Sequence, residues 1–250
     1  MPGVRIALAF LLAACVLPRT AYAGRSFYGW LYGTEVLPER GVELDTWVQD
    51  ENDKYGTRTR ESWVSWGPLV AITDHLELGI PVELVWSDTV QPDSSHKVGF
   101  TFKRFGAELR YRPVSTDPVD APALVPLIRV AVKRDVTQRD DARLEGDAVV
   151  SYEAGRVHAL VDLGVTGDVS SDTQHFELHP GAGLSVAVTG ELRVGAEIYS
   201  ELSLDRFGES WATAGPDLSW THGRFWLSGA FGIGVYHVRI APRVIWGIAF

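Results

Sequence analysis

Cysteine is all but missing: Cys15 is the single thiol among 250 residues. No intramolecular disulfide can form, so the fold must rest on a hydrogen-bonded framework rather than on covalent staples. Long apolar runs are missing too. Beyond residue 23 no apolar stretch approaches the roughly 20 residues that a transmembrane helix needs, and a chain of this kind can enter a membrane only as strands. Positive charge is scarce, with 23 Lys+Arg against 32 Asp+Glu and a net charge of −9. That balance excludes the basic footprint of a nucleic-acid binder.

What is present begins with an export address. Arg5 supplies a positive start, Ile6 to Leu17 an apolar stretch, and Pro18 its break. Ala21-Tyr22-Ala23 gives a small-x-small cleavage pattern that leaves Gly24 first. Residues 1–23 therefore read as a signal peptide. Leu12-Ala13-Ala14-Cys15 offers an alternative lipobox with Cys15 lipidated, but the apolar run continues past Cys15 and the Ala21/Ala23 site follows it. Either route takes the chain out of the cytoplasm. Loss of Arg5 and Arg19 leaves 21 Lys+Arg against 32 acids, a net charge of −11.

From Gly41 onward the pattern alternates with period two, as strands with two unlike faces do. Val42, Leu44, Thr46 and Val48 interleave with Glu43, Asp45, Trp47 and Gln49; Leu192, Val194, Ala196 and Ile198 interleave with Arg193, Glu197 and Tyr199. Strands are predicted near 41–51, 59–73, 76–87, 99–112, 124–135, 147–155, 157–167, 174–188, 191–204, 212–221, 225–236 and 240–250. Tight turns recur at Thr73-Asp74-His75, Ala154-Gly155-Arg156, Thr189-Gly190-Glu191 and His222-Gly223-Arg224. Polar loops at 88–98, 136–146, 168–173 and 205–211 alternate with them. The apolar faces, from Val42 to Phe250, are expected to carry no charged residue. Strands near ten residues long are what a tilted bilayer crossing requires. Trp66, Trp86, Tyr111, Trp220, Phe225, Trp246 and Phe250 fall where interfacial girdles belong. The predicted fold is all-β: a closed antiparallel transmembrane barrel of about 12 strands, with ten or fourteen as alternatives, spanning 41–250. A soluble sandwich or lipocalin alternates too, but seldom so uniformly over a dozen long strands. Pro68, Pro81, Pro126, Pro180, Pro216 and Pro242 fall inside proposed strands, so some must sit at rims or bulges.

The polar faces supply the candidate solute path. Twelve acids are expected to line it: Glu43, Asp45, Glu61, Glu77, Glu83, Glu108, Glu153, Asp162, Glu177, Glu197, Glu201 and Asp217. Facing them are eight bases: Arg104, Arg110, Arg112, Arg129, Lys133, Arg193, Arg239 and Arg243. Trp47 and Trp63 share this side and either stack on a solute or fill space among the charges. His158, His175 and His179 lie there as well. In His175-Phe176-Glu177-Leu178-His179 the three polar residues span about 13 Å along a strand, too far to grip one ion without a kink, and ordinary lumen lining is the simpler account. Histidines on the polar side also speak against a lipid-modifying enzyme, whose Ser and His would face outward; no catalytic residue, metal site or cofactor is assigned. Residues 24–40, rich in aromatics (Phe27, Tyr28, Trp30, Tyr32), form a periplasmic segment that either folds against or into the barrel mouth or trails as a tail.

Val244-Ile245-Trp246-Gly247-Ile248-Ala249-Phe250 resembles the C-terminal assembly signal of bacterial outer-membrane barrels, with Val244, Trp246, Ile248 and Phe250 matching its alternating apolar pattern and aromatic end. Thr34 to Leu44 and the turn Ile72 to Gly79 are similar to segments of transporter-like barrels grouped with meta-pathway phenol-degradation proteins, a likeness over some 40 residues. These resemblances imply an outer-membrane protein whose partners are lipid, the barrel-assembly machinery and an unidentified small solute. The expected function is a narrow passive channel or transporter for small polar or amphipathic solutes, with a non-conducting structural or adhesive barrel as the alternative.

Overall fold

The computed structural model describes residues 26–115, 122–138 and 140–250. The proposed signal peptide, with Cys15, Ala21, Ala23 and Gly24, lies outside the described residues. Thirteen strand segments follow one another: β1 (Val42–Asn52), β2 (Thr59–Thr73), β3 (Leu76–Gly79), β4 (Val82–Val90), β5 (His96–Tyr111), β6 (Leu124–Asp135), β7 (Ala142–Ala154), β8 (Val157–Val169), β9 (Gln174–Ala187), β10 (Leu192–Ser203), β11 (Trp211–His222), β12 (Phe225–Tyr236) and β13 (Ile240–Ala249). Every neighbouring pair is antiparallel. β1 pairs with β2 on one side and with β13 on the other, from Glu43↔Ala249 to Asn52↔Ile240, and so closes the sheet.

β3 and β4 both pair with β2 and β5 and are two halves of one stave, broken at Ile80-Pro81. The barrel therefore has 12 staves. Proline has no N–H for the ladder, and the break absorbs Pro81: the Ile80 amide donates to the Pro68 carbonyl (3.1 Å) and the Gly106 amide to the Pro81 carbonyl (3.1 Å). The two-residue hairpins Gly155-Arg156 and Gly223-Arg224 carry the left-handed φ (62° and 59°) that tight hairpin turns demand at their first central residue. These turns, both ends of the strand run and the β2–β3 turn share one end of the barrel; the opposite, loop end carries residues 53–58, 91–95, 136–141, 170–173, 204–210 and 237–239.

The outward faces are apolar and open. Phe100 is 64% exposed, Leu163 59% and Val235 64%, an arrangement that water would penalise and acyl chains satisfy. With the sheet closed, no strand edge faces lipid without a partner. Two expectations need correction. The outward faces are not free of charge: alternation turns Asp50, Arg60 and Asp88 outward near the loop end, where Arg60 Nε meets Asp50 (2.9 Å) and His96 Nδ1 meets Asp88 (2.9 Å). Trp66 sits mid-strand in β2, opposite Thr46 and Val82, instead of at an interfacial rim.

Candidate functional site

Eight staves leave an interior that side chains just fill, whereas 16 leave an aqueous channel. With 12, this chain fills the surplus using its own N-terminal segment. Residues 26–40 enter at the turn end and double back within the lumen. At the entry, the Glu39 amide donates to Asp74 Oδ1 (2.7 Å), and the Leu37 amide donates to Glu77 Oε1. Deeper, Thr34 and Ser151 share a hydroxyl hydrogen bond (2.6 Å), and the Tyr32 amide donates to Asp162 Oδ2 (3.1 Å). Near the apex the Gly29 and Trp30 amides donate to Glu197 Oε1 (2.9 and 3.2 Å), and Trp30 Nε1 donates to the Ala241 carbonyl (3.0 Å).

The Trp30 ring stacks on Tyr199 at 4.8 Å and meets Trp211 edge-on at 5.4 Å. On the return, Tyr28 OH bonds His158 Nδ1 (3.0 Å), and Ser228 Oγ donates to the Ser26 carbonyl. An irregular backbone leaves amides that must find acceptors, and carboxylates from three different staves provide them. Gly183 and Gly181 make room: a Cβ at either would collide with the Tyr28 ring or with Leu31. Tyr28, Trp30 and Leu31 are buried as deeply as any core residue.

Most inward charges are organised in pairs. Arg129, at mid-height, contacts Glu108 (2.7 Å), Glu145 (2.7 Å) and Asp147 (2.6 Å), with its guanidinium 4.1 Å from the Tyr32 ring centroid. Lys133 bridges Glu83 (2.6 Å) and Glu145 (2.8 Å), Arg143 reaches Glu145 (3.2 Å) and Asp168 (2.8 Å), and Arg110 holds Glu108 (2.7 Å). Arg104 contacts Glu83 (3.4 Å) over the Trp63 ring. At the loop end Lys54 lies between Glu51 (2.9 Å) and Glu201 (3.2 Å). Burial works against its ammonium, but Glu201 and Glu51 outweigh it and hold the Lys54 pKa well above the ordinary lysine range. Buried oxygens of Glu43 and Asp45, toward the turn end, and of Asp217, at mid-height, have no hydrogen-bond partner among the described residues.

Three cavities border the segment. A loop-side vestibule of ≈ 210 Å³ is lined by Gln49, Glu51, Trp63, Arg104, Arg143 and Glu201 among others. An inner cavity of ≈ 70 Å³ is lined by Glu43, Asp45, Leu69, Trp226 and Ile245, and shares Tyr32, Trp47, Arg129, Lys133 and Arg243 with the vestibule. A turn-side cavity of ≈ 740 Å³, lined by Phe27, Arg112, Glu153, His158 and Arg193, shares Glu35 with the inner one.

The expected lining residues stand at three heights of the barrel. Glu43, Asp45, Glu77, Glu108 and Arg110 occupy its turn-side half; Glu83, Arg129, Lys133, Asp162, Glu197 and Asp217 its middle; His175, Glu177, His179 and Glu201 its loop-side half. His175 binds Glu177 (3.1 Å) and Asp205 (2.6 Å), and His179 lies 3.5 Å from Glu177. His158 and Arg193 stand at the turn end, with Arg193 over the Phe27 ring and 3.3 Å from Glu153. Trp47 and Trp63 each face a guanidinium, from Arg243 and Arg104. Arg239 departs from expectation: it is exposed in the loop between β12 and β13. Val244, Trp246 and Ile248 sit on the outward-facing positions of β13, and the Phe250 amide donates to the Val42 carbonyl (2.8 Å), closing the barrel seam. The sequence reading misses Glu51, Lys54, Arg143, Glu145, Asp147 and Asp168. Its signal was there: Arg143, Glu145 and Asp147 alternate with Leu144, Gly146 and Ala148, so the strand begins at Ala142 and not after a loop to 146.

A closed sheet with an apolar outer belt and a charged, chain-filled interior has the architecture of an outer-membrane β-barrel. Solved structures share it. An outer-membrane channel from Pseudomonas putida F1 superposes with a TM-score of 0.59 at 11% identity, covering 87% of this chain and 98% of that one. The translocator domain of the autotransporter NalP from Neisseria meningitidis gives 0.52 at 12% identity, covering 84% and 88%. The porin NanC gives 0.52 at 6% identity, covering 82% and 98%. Identities this low speak for the fold. No protein-family model matches the sequence, and no curated protein matches it either.

Proposed function

We propose that the protein is a narrow passive channel of the outer membrane for small polar or amphipathic solutes. The observation that carries this reading is that the filled lumen still keeps three cavities, at the loop end, in the interior and at the turn end, each sharing at least one lining residue with its neighbour. The narrowness follows from the N-terminal segment, because what it fills a solute cannot use. The description of the Pseudomonas putida neighbour as a channel supports the reading by analogy of fold. The resemblance of Thr34 to Leu44 to barrels of the phenol-degradation grouping fits a transporter-like barrel and leaves the solute open. The second reading, a non-conducting structural barrel, draws on the same segment and on the ion pairs that close around Arg129.

The two readings separate in a planar bilayer. Refolded protein should give small single-channel conductance, and reversal potentials under a salt gradient should show mild cation preference, since surplus acid in a narrow passage attracts cations. Absence of conductance would favour the structural barrel, and clear anion preference would overturn the charge argument.

A further inference from the structure

Among the inward bases named above, Arg243 differs from its neighbours. Arg104, Arg110, Arg129, Lys133 and Arg143 each have a carboxylate within ion-pair distance. Arg243 has none among the described residues, and its Nε is buried with no hydrogen-bond partner. Its one hydrogen bond among the described residues is a long one, 3.4 Å, from Nη1 to the Trp30 carbonyl. The residue is only 7% exposed. A guanidinium that deep normally has a planar anionic partner. Two indoles flank it, Trp47 at 4.7 Å and Trp30 at 5.2 Å from ring centroid to guanidinium carbon. They flank it without supplying an anionic partner.

Its position matters as much as its state. Arg243 lines both the loop-side vestibule and the inner cavity, so it stands between them. Beyond it the inner cavity offers Ile245, Leu69, Leu31 and Trp226, an apolar surface of a kind that a small inorganic anion could not exploit. The surplus acid around the lumen opposes any anion, so charge attraction to one arginine is a weak lure by itself. A ligand gains most here if it couples one negative group to an apolar body.

We propose that the junction at Arg243 is a binding site for amphipathic organic carboxylates, with the carboxylate on the Arg243 guanidinium and the apolar body along Trp47, Ile245 and Leu69. The inference rests on the channel reading for its role in permeation, but not for the existence of the site.

The test uses hexanoate as the probe, with acetate and 1-hexanol as its charge-only and apolar-only counterparts. Refolded full-length protein is studied in two ways: tryptophan fluorescence in detergent micelles, and single-channel current in a planar bilayer with the probe added. Hexanoate should perturb the fluorescence saturably and interrupt the current at concentrations at least tenfold below those that acetate or hexanol needs. Arg243→Gln should weaken both effects at least tenfold, while Arg206→Gln, in the exposed loop between β10 and β11, should leave them unchanged. If Arg243→Gln fails to show heat-modifiable migration on a gel, Arg243→Met serves instead. Equal hexanoate binding in wild type and a folded Arg243 variant would overturn the site, as would acetate binding as well as hexanoate. Saturable, Arg243-dependent fluorescence change without conductance supports the site and removes the channel; conductance without hexanoate binding does the reverse.

Discussion

Replacing Arg129 by methionine tests how the middle of the lumen is held together. Arg129 is 2% exposed and makes three carboxylate contacts of 2.6–2.7 Å. Removing one partner of a buried ion pair costs about 3–5 kcal/mol, because the remaining charge is stranded. Here the loss is cushioned. Glu108 keeps Arg110 at 2.7 Å, and Glu145 keeps Lys133 at 2.8 Å and Arg143 at 3.2 Å. Asp147 alone is left without an ion-pair partner among the described residues. The expected cost is therefore about 3 kcal/mol, at the low end of that range. Reversible urea unfolding in lipid vesicles, followed by tryptophan fluorescence, reads it directly. Arg193→Met is the control: its partner Glu153 is half exposed, and such pairs contribute about 1 kcal/mol at most. Adding Asp147→Asn to Arg129→Met should restore about 1 kcal/mol or more by discharging the stranded group. If Arg129→Met costs no more than Arg193→Met, the central charges are solvated individually and the cluster does not act as a unit.

Two further outcomes test the wall. Val194 is outward in β10 and 42% exposed, so Val194→Arg should cost about 2–4 kcal/mol in lipid vesicles, and a spin label there should respond to oxygen dissolved in lipid more than to a water-soluble reagent; the opposite response would mean a wrong register. Phe250→Ala should lower the folded amount recovered from outer membranes far more than Asp93→Ala in the loop between β4 and β5, and equal yields would remove the assembly role proposed for the C-terminal strand.

The wall was legible in the sequence because lipid on one side and a polar interior on the other force a period of two, and a one-residue slip would turn Val194 inward and Arg193 outward. Tight turns were legible through Gly155 and Gly223, whose φ few other residues adopt. Three things were hidden. A polar strand end reads as a loop, so Arg143 and Glu145 were absent from the expected lining. The expectation of an uncharged outer face left out Asp50, Arg60 and Asp88, which sit at the loop-end ends of β1, β2 and β4. The fate of residues 26–40 had no local signature: the segment has no period, and what holds it is a set of carboxylates more than a hundred residues away in Asp162 and Glu197.

That segment also changes how the interior charge should be counted. The sequence tally leaves four acids beyond the bases, and the structure widens the surplus by adding Glu51, Glu145, Asp147 and Asp168 against Lys54 and Arg143 while removing Arg239. Surplus carboxylates inside a low-dielectric wall need some compensation. Glu77, Asp162 and Glu197 find it in the amides of Leu37, Tyr32, Gly29 and Trp30. An amide dipole stabilises a carboxylate without cancelling its charge, so the segment can be held by acids and still leave the lumen negative. On the proposed channel reading, the same acids would serve two ends: anchoring the chain that fills the lumen and setting the sign of the field that an entering ion would meet.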